Sequence, residues 1–557
     1  MGYDSQKQQS SEEKERARRQ EMVRRLAWEQ SGETPVIPPD DKPAPVPSGR
    51  RRGVWLIALG ALVIVLLLAG SGIFAMLRLH PSPIPQAQRT PTPPCASHTP
   101  ATASATAATT ATAENIRVSN DRYKAHSEPM LAINPDNPLN LVGGSKFFTD
   151  SAHYRFQIGT YVSFDGGCSW ADNGVLPGFA PGETTSDVSM AFGPDNRVYV
   201  AVLFDESSGD SGIAVSTSTD GGRTFGQPVR VYDNPTGAVF SDKPWLTVDM
   251  SSGPHRGSVY VVWSYDYGGG CGDDNACKQA IGFSRSTDGG KTFSPVRQVE
   301  GEAPFCTNPV KGRNPASRVC DAALGVIPAV LPNGTLAVAF SYIDLMTTGS
   351  IPTRLAVITS PDGGSTWTSP VLIATISDVI GIFPPGRYRN ISLPAFTADP
   401  ARGNLYIAWA DKRTGDADIL FSASRDGGRT WSAPRRVNDD PARNHANQFQ
   451  PQLAVAPNGV ISVSYFDTHR DTRHRLIDVS LAQSVDGGKT FLPSVRVTSQ
   501  SWDPALGAPI DSSGLQFIGD YQGLAVDNQF AYPFWNDTRT GRQEIFTALV
   551  PSARPRS

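Results

Sequence analysis

One eight-residue string constrains this chain more than any other feature, because it occurs six times. It reads Ser163-Phe-Asp-Gly-Gly-Cys-Ser-Trp170, Ser218-Thr-Asp-Gly-Gly-Arg-Thr-Phe225 and Ser286-Thr-Asp-Gly-Gly-Lys-Thr-Phe293. It returns as Ser360-Pro-Asp-Gly-Gly-Ser-Thr-Trp367, Ser424-Arg-Asp-Gly-Gly-Arg-Thr-Trp431 and Ser484-Val-Asp-Gly-Gly-Lys-Thr-Phe491. Asp-Gly-Gly specifies a turn, since Asp bonds nearby backbone N–H groups and glycine takes positive φ without a Cβ clash. Apolar, β-forming stretches flank each copy, as in Ile419-Leu-Phe421 before and Val437 after, so each string is a hairpin tip. The closing aromatic is expected to pack beneath its own turn. Such recurrence marks a repeat protein, which grows by adding units rather than by thickening one core.

Each unit from Asn115 onward follows one four-strand grammar. A first strand follows a loop, as in Pro394-Ala-Phe-Thr-Ala398, and a second is rich in β-formers, as in Leu405-Tyr-Ile-Ala-Trp409. A third leads into the repeated string and a fourth leaves it. First strands begin near Glu128, Asp187, Asp242, Val326, Ser392, Gln450 and Tyr521, which makes seven units. The seventh ends without a fourth strand, and Ile116-Arg-Val-Ser-Asn-Asp121 resembles one (compare Arg436-Val-Asn-Asp439). An N-terminal strand is therefore expected to complete the last sheet and leave no open edge.

Upstream, residues 1–52 are polar and charged, an expected cytoplasmic arm with helical stretches and an unknown partner. Arg50-Arg51-Arg52 precede an uncharged apolar run from Val54 to Leu77. At ~1.5 Å per residue this run crosses a hydrocarbon core of ~30 Å. Residues 53–78 are read as a signal anchor, the arginines inside and the C-terminal bulk outside; a cleavable signal peptide is the alternative. Residues 79–114, almost all Pro, Thr, Ala and Ser, bury too little to fold and form a stalk. The domain spans 115–551, and 552–557 are a disordered tail. The protein is thus expected in the cell membrane, single-pass, with its repeat domain extracellular.

The formal net charge of −3 gives no electrostatic case for nucleic acid. Cys271 and Cys277 flank one short loop and Cys306 and Cys320 another, which reads as two local disulfides in an oxidising compartment, with free thiols as the alternative. Cys95 and Cys168 have no obvious partner, and Cys168 is expected to stay reduced. No cofactor is expected and no metal site is assigned. The acidic loop 265–275 could hold Ca²⁺ but lacks EF-hand spacing.

The repeated strings are similar to the Asp-box, or bacterial neuraminidase repeat, of sialidase-like β-propellers. The resemblance covers residues 115 to 551 and implies an all-β propeller, seven blades by the count of first strands and six as the alternative. Loops entering first strands and leaving second strands share one end, and the Asp-boxes lie at the other. Asp165, Asp220, Asp288, Asp362, Asp426 and Asp486 are accordingly structural.

The opposite end gathers Glu128, Asp187, Asp242-Lys243, Arg389-Asn390, Gln450 and Asp520-Tyr521 before first strands. After second strands stand Asp205-Glu206, Asp266, Asp344, Asp411-Lys-Arg413, Asp467-Thr-His-Arg470 and Asp537-Thr-Arg539. These are either a second turn motif, with Arg paired to a neighbouring acid, or a polar funnel for an anionic or polyhydroxylated ligand. In the family three arginines clamp the substrate carboxylate, a Tyr assisted by Glu is the nucleophile and an Asp is the acid/base. Ser127-Glu128-Pro129 stands where the family has Arg-Ile-Pro, with the proline present and the arginine absent. The candidates are Tyr521 as nucleophile, Asp187 or Asp242 as proton donor, and Arg389, Arg413 and Arg539 as ligand clamp. Glu128, Lys243, Gln450 and Asp520 complete the binding set. The resemblance implies a glycoside hydrolase acting on surface or environmental glycans; the alternative is a non-catalytic propeller binding glycan or glycoprotein.

Overall fold

In the computed structural model six repeats become four-stranded antiparallel sheets and the seventh a five-stranded one, and these seven blades surround one axis. The structure describes residues 114–554, apart from 153, 181, 206–210, 235–238, 268–277, 308–317, 344–352, 380, 383–387, 392 and 512–513. The arm, the apolar run, the stalk up to residue 113, Cys95 and the Cys271–Cys277 pair lie outside the described residues. Among the described residues no helix is long and apolar enough to cross a membrane.

Blade 1 runs His126–Ile133, Leu141–Asp150, Arg155–Ser163 and Ala171–Val175 from the axis outward. Blades 2 to 6 repeat that order, with first strands Thr184–Phe192, Val239–Val248, Ala323–Val330, Ala395–Ala398 and Gln448–Val455. Blade 7 holds Gly523–Val526, Phe530–Asp537 and Glu544–Thr547, with the two-residue Val550–Pro551 also paired to Phe530–Asp537. Its third strand also pairs antiparallel with Ile116–Arg117, through Ile116↔Thr547 and Arg117↔Phe546. First strands of successive blades lie side by side, and those of blades 7 and 1 meet, so the ring is complete.

The Asp-boxes explain why the hairpins hold. In the first, the Ser163 hydroxyl donates to Asp165 Oδ1 at 2.8 Å and accepts the Gly167 N–H at 2.9 Å. The same Oδ1 accepts the Ser169 N–H at 2.9 Å. The set recurs from Ser218 through Ser484. Hydrogen bonds from Thr292 hold Asp288 to about 2, and those from Thr366 do the same for Asp362. These carboxylates are ionised acceptors committed to their turns.

The motif also staples one blade to the one before, in addition to the expected packing of each aromatic at its own turn. Trp170 Nε1 does donate to its own Gly167 carbonyl, at 3.0 Å. Yet the Trp170 ring lies 5.6 Å from Phe534 of blade 7, Trp367 5.3 Å from Phe283 of blade 3, and Phe491 5.2 Å from Phe421 of blade 5. The second glycine of the motif sits against the same neighbour. At Gly364 (φ +91°) a Cβ would come within 2.1 Å of Phe283, so glycine is required by close approach as well as by conformation. Between blades the core is filled by buried second-strand aromatics, including Trp263, Trp409 and Trp535.

Cys306 and Cys320 are disulfide-bonded with Cα atoms 5.1 Å apart. Cys168 is disulfide-bonded too, which overturns the reading of it as a reduced thiol. It occupies the variable position of an Asp-box turn and is half-buried there.

Candidate functional site

The axis is polar because of a repeated backbone irregularity. In blades 1, 2, 3, 4 and 6 the first strand slips by one residue against the second, between Ser127 and Met130, Ser186 and Ser189, Asp242 and Trp245, Leu324 and Ile327, and Phe449 and Gln452. Two residues there oppose one, which is a β-bulge. The first bulged residue is left-handed in every case: Glu128 (φ 52°), Asp187 (51°), Lys243 (50°), Gly325 (62°) and Gln450 (48°). Only one of the five is glycine. Non-glycine residues in this region cost about 1–3 kcal/mol each and cluster at functional sites. The bulge turns four polar side chains inward, each 4% exposed or less.

There they meet. Lys243 Nζ lies 3.4 Å from Asp187 Oδ1 and 3.0 Å from Asp520 Oδ2. The Arg389 guanidinium donates to the same Asp520 oxygen at 3.1 Å and lies 4.0 Å from Asp511 Oδ2. Lys146 Nζ sits 2.6 Å from Glu128 Oε2. Phe517 joins the two halves, with Arg389 Cζ 4.6 Å and Lys146 Nζ 5.0 Å from its ring centroid. Gln450 Nε2 donates to the Gly519 carbonyl at 2.6 Å, and Gln522 Nε2 to the Gln450 carbonyl at 3.0 Å. Gly519 (φ +84°) lets this loop come close, since a Cβ there would lie 2.9 Å from the Glu128 nitrogen. On one flank Tyr521 makes an edge contact with Trp245, 5.9 Å between centroids, beside Ile391 and Leu393.

The charges sort themselves by neighbours. Asp520 is fully buried, yet Arg389 and Lys243 hold it to about 2. Lys243 likewise lowers Asp187 against its burial, which favours the ionised form. Burial raises Glu128, with Lys146 opposing. Asp205, at the end of the second strand of blade 2, behaves oppositely to Asp187: burial first, then the Asp187 and Asp242 carboxylates, push it up to about 8. The two acids are therefore shifted in opposite directions, the arrangement that separates proton donor from charge balance. Tyr521 is driven well above its usual value by burial and by Glu128, Asp187, Asp520 and Asp242. Buried atoms without a hydrogen-bond partner from the protein include Asp205 Oδ1, Asp520 Oδ1, Tyr521 OH, Gln450 Oε1 and Gln522 Oε1. Native proteins seldom leave such atoms unpaired, so polar atoms of a ligand or solvent suit them.

The sequence-predicted residues thus divide. Glu128, Asp187, Asp242, Lys243, Arg389, Gln450, Asp520 and Tyr521 share the axis. Arg413 and Arg539 share no partner with Arg389. Asp411 Oδ2 accepts Trp409 Nε1 at 3.0 Å and binds the Arg413 guanidinium, which also donates to the Thr375 carbonyl at 2.7 Å. Blade 7 repeats this with Trp535, Asp537 and Arg539, and blade 6 places His469 on Asp467. The second turn motif is real in these three blades. Four axis residues, Lys146, Asp205, Asp511 and Phe517, were not among the site candidates read from sequence. Lys146 had a signal, a lone charge inside an apolar strand. Pro129, Pro244 and Pro451, each following a bulged residue, were a second signal, because proline inside a sheet marks a bulge. Asp205 stood only among the polar residues of that end, and Asp511 and Phe517 come from a loop without a motif.

Among the described residues no group of His, Cys, Asp or Glu is arranged to hold a metal ion. A model of the BNR repeat-like domain matches residues 203–545. No curated protein matches the sequence significantly. Among solved structures, a Hadza microbial sialidase is similar at 17% identity, covering 71% of this chain and 74% of its own, with a TM-score of 0.39. An α-L-arabinofuranosidase of Fusarium graminearum is similar at 15%, covering 67% and 98%, with a TM-score of 0.41. The endosialidase of phage phi92 is similar at 10%, covering 79% and 69%, with a TM-score of 0.43.

Proposed function

The chain belongs to the BNR repeat-like domain family, and we propose that it is a glycoside hydrolase-like propeller whose axis takes a neutral glycan. One observation carries this reading: the three cations of the axis are already matched. Lys146 is paired with Glu128, Lys243 with Asp187 and Asp520, and Arg389 with Asp520. No cationic charge is in surplus for a substrate carboxylate, whereas the unpaired oxygens and the protonated Asp205 suit hydroxyl groups. In this reading Asp205 gives its proton to the leaving oxygen while the Tyr521 oxygen attacks the anomeric carbon. Glu128, more basic than an ordinary carboxylate, takes the tyrosine proton. Burial, helped by Asp187 and Asp242, keeps Asp205 protonated, and Gln450 and Gln522 bind hydroxyls. The run 54–77 holds the propeller outside the cell, in line with the arginines before it.

The test is hydrolysis of a panel of fluorogenic neutral glycosides and sialosides by the whole chain. Turnover is expected on a neutral member and not on sialosides. Tyr521→Phe should abolish it while leaving binding intact, because only a hydroxyl is lost. Faster cleavage of sialosides would overturn the reading. Binding on a glycan array with no turnover would leave a non-catalytic glycan receptor, the alternative favoured by the strongly raised Tyr521.

We also infer that the pairing of Ile116–Arg117 with the last blade clasps the ring. Deleting residues 115–121 should then lower the unfolding midpoint and bring aggregation through the exposed edge. An unchanged melting curve would show that the clasp does nothing.

A further inference from the structure

We propose that the rim between blades 5 and 6 carries a second subsite, for a sulfate ester or uronate carboxylate on the same glycan; it rests on the glycan reading of the axis. A cavity of about 500 Å³ is lined there by Lys412, Arg413, Asp416, Arg443 and His445. It is built from the loop leaving the second strand of blade 5 and the loop entering the first strand of blade 6. These open at the same end of the propeller as the axis residues, where a chain extending from the axis would emerge.

Lys412, Arg413 and Arg443 bring three permanent cations to the cavity and Asp416 one carboxylate, with the Asp411 carboxylate beneath Arg413, and Arg413, Arg443 and His445 are exposed. That carboxylate, on Asp416, is itself engaged, accepting the His445 N–H at 2.9 Å. Arg413 has its acid beneath it in Asp411, which fixes the side chain. Arg443 is oriented by donating Nε–H to the Thr414 carbonyl at 3.1 Å. Pre-orientation lowers the entropy lost when a ligand is gripped, and the guanidinium fork matches the paired oxygens of sulfate or carboxylate. Arg443 (φ 60°) and His445 (φ 67°) are both left-handed without being glycine. Such strain in a loop lining a cavity fits a binding role.

The experiment is titration calorimetry of the whole chain in low-salt buffer with inorganic sulfate, a neutral oligosaccharide and its sulfated counterpart. Arg443→Ala and Lys412→Ala are compared with the parent, and circular dichroism checks their folding. The sulfated sugar should bind the parent more tightly than the neutral one, and each variant should lose about ten-fold or more of that affinity. Equal binding of the sulfated sugar by parent and variants overturns the subsite. Binding of inorganic sulfate with no preference for the sulfated sugar overturns its assignment to a glycan. If the sulfated sugar binds in an Arg443-dependent way but neutral glycosides are neither bound nor cleaved, the subsite stands and the axis reading is the one that fails.

Discussion

Replacing Asp520 by asparagine is expected to lower the free energy of unfolding by about 3–5 kcal/mol, the cost of stranding buried charge. Asp520 is the one carboxylate that both Lys243 and Arg389 reach, and all three side chains are 4–5% exposed or less. The amide keeps the shape and removes the charge, leaving two buried cations short of their counter-ion. Arg475→Ala, which removes a pair with Asp503 at an exposed site (side chain 53% exposed), should cost less than about 1 kcal/mol. Denaturant titration at neutral pH compares them. The parent should carry an acid signature of the same pair. Because Asp520 is held to about 2, its stabilisation is complete above the ordinary carboxylate range and is lost as pH falls toward 2. Similar denaturation midpoints for the Asp520 variant and the parent would mean that the cations are not paired as described.

The second large effect concerns turnover. Asp205→Asn is expected to reduce kcat by about 10²–10⁴-fold, the usual worth of a positioned acid. In the parent, activity should fall as pH rises through about 8, where Asp205 loses its proton. The variant should lack that limb. Stability gives an independent readout. A carboxyl whose folded value is raised contributes its stabilisation at low pH and loses it as pH climbs through the folded value. Above about pH 8 the parent must carry a buried charge beside Asp187 and Asp242, and the asparagine variant does not. The variant should therefore become the more stable of the two under alkaline conditions. An alkaline limb that persists in the variant would assign the proton to another group.

Much of the architecture was legible because it is local. Six Asp-boxes and seven first strands can be counted from turn chemistry and alternation, and they give seven blades. What the boxes do between blades was not legible. That Trp367 packs on Phe283 depends on how neighbouring sheets are set, and a motif read within one hairpin carries no such information. The site divides the same way. Glu128, Asp187, Lys243 and Gln450 could be placed at one end of the propeller by strand order alone. Their burial and mutual pairing could not, because the register slip that turns them inward leaves only three prolines as its trace. Arg413 and Arg539 looked equivalent to Arg389 in composition. They differ because Asp411 and Asp537 stand two residues upstream, at turn spacing, whereas Arg389 has no such acid and finds Asp520 from a distant loop.

The bulges have a consequence for how this scaffold can change. The irregular backbone is set by counting, two residues against one, and it recurs whether the inward residue is Glu, Asp, Lys, Gly or Gln. Shape is thereby decoupled from identity at these positions. They behave as a circle of interchangeable sockets, each receiving a new side chain without new strand pairing, provided that every buried charge keeps a partner. A glycine socket such as Gly325 is the cheapest to occupy conformationally and contributes no side chain. A charged one costs strain and brings charge to the axis. The polarity of the axis can thus change one socket at a time while the hairpins at the far end keep the fold unchanged.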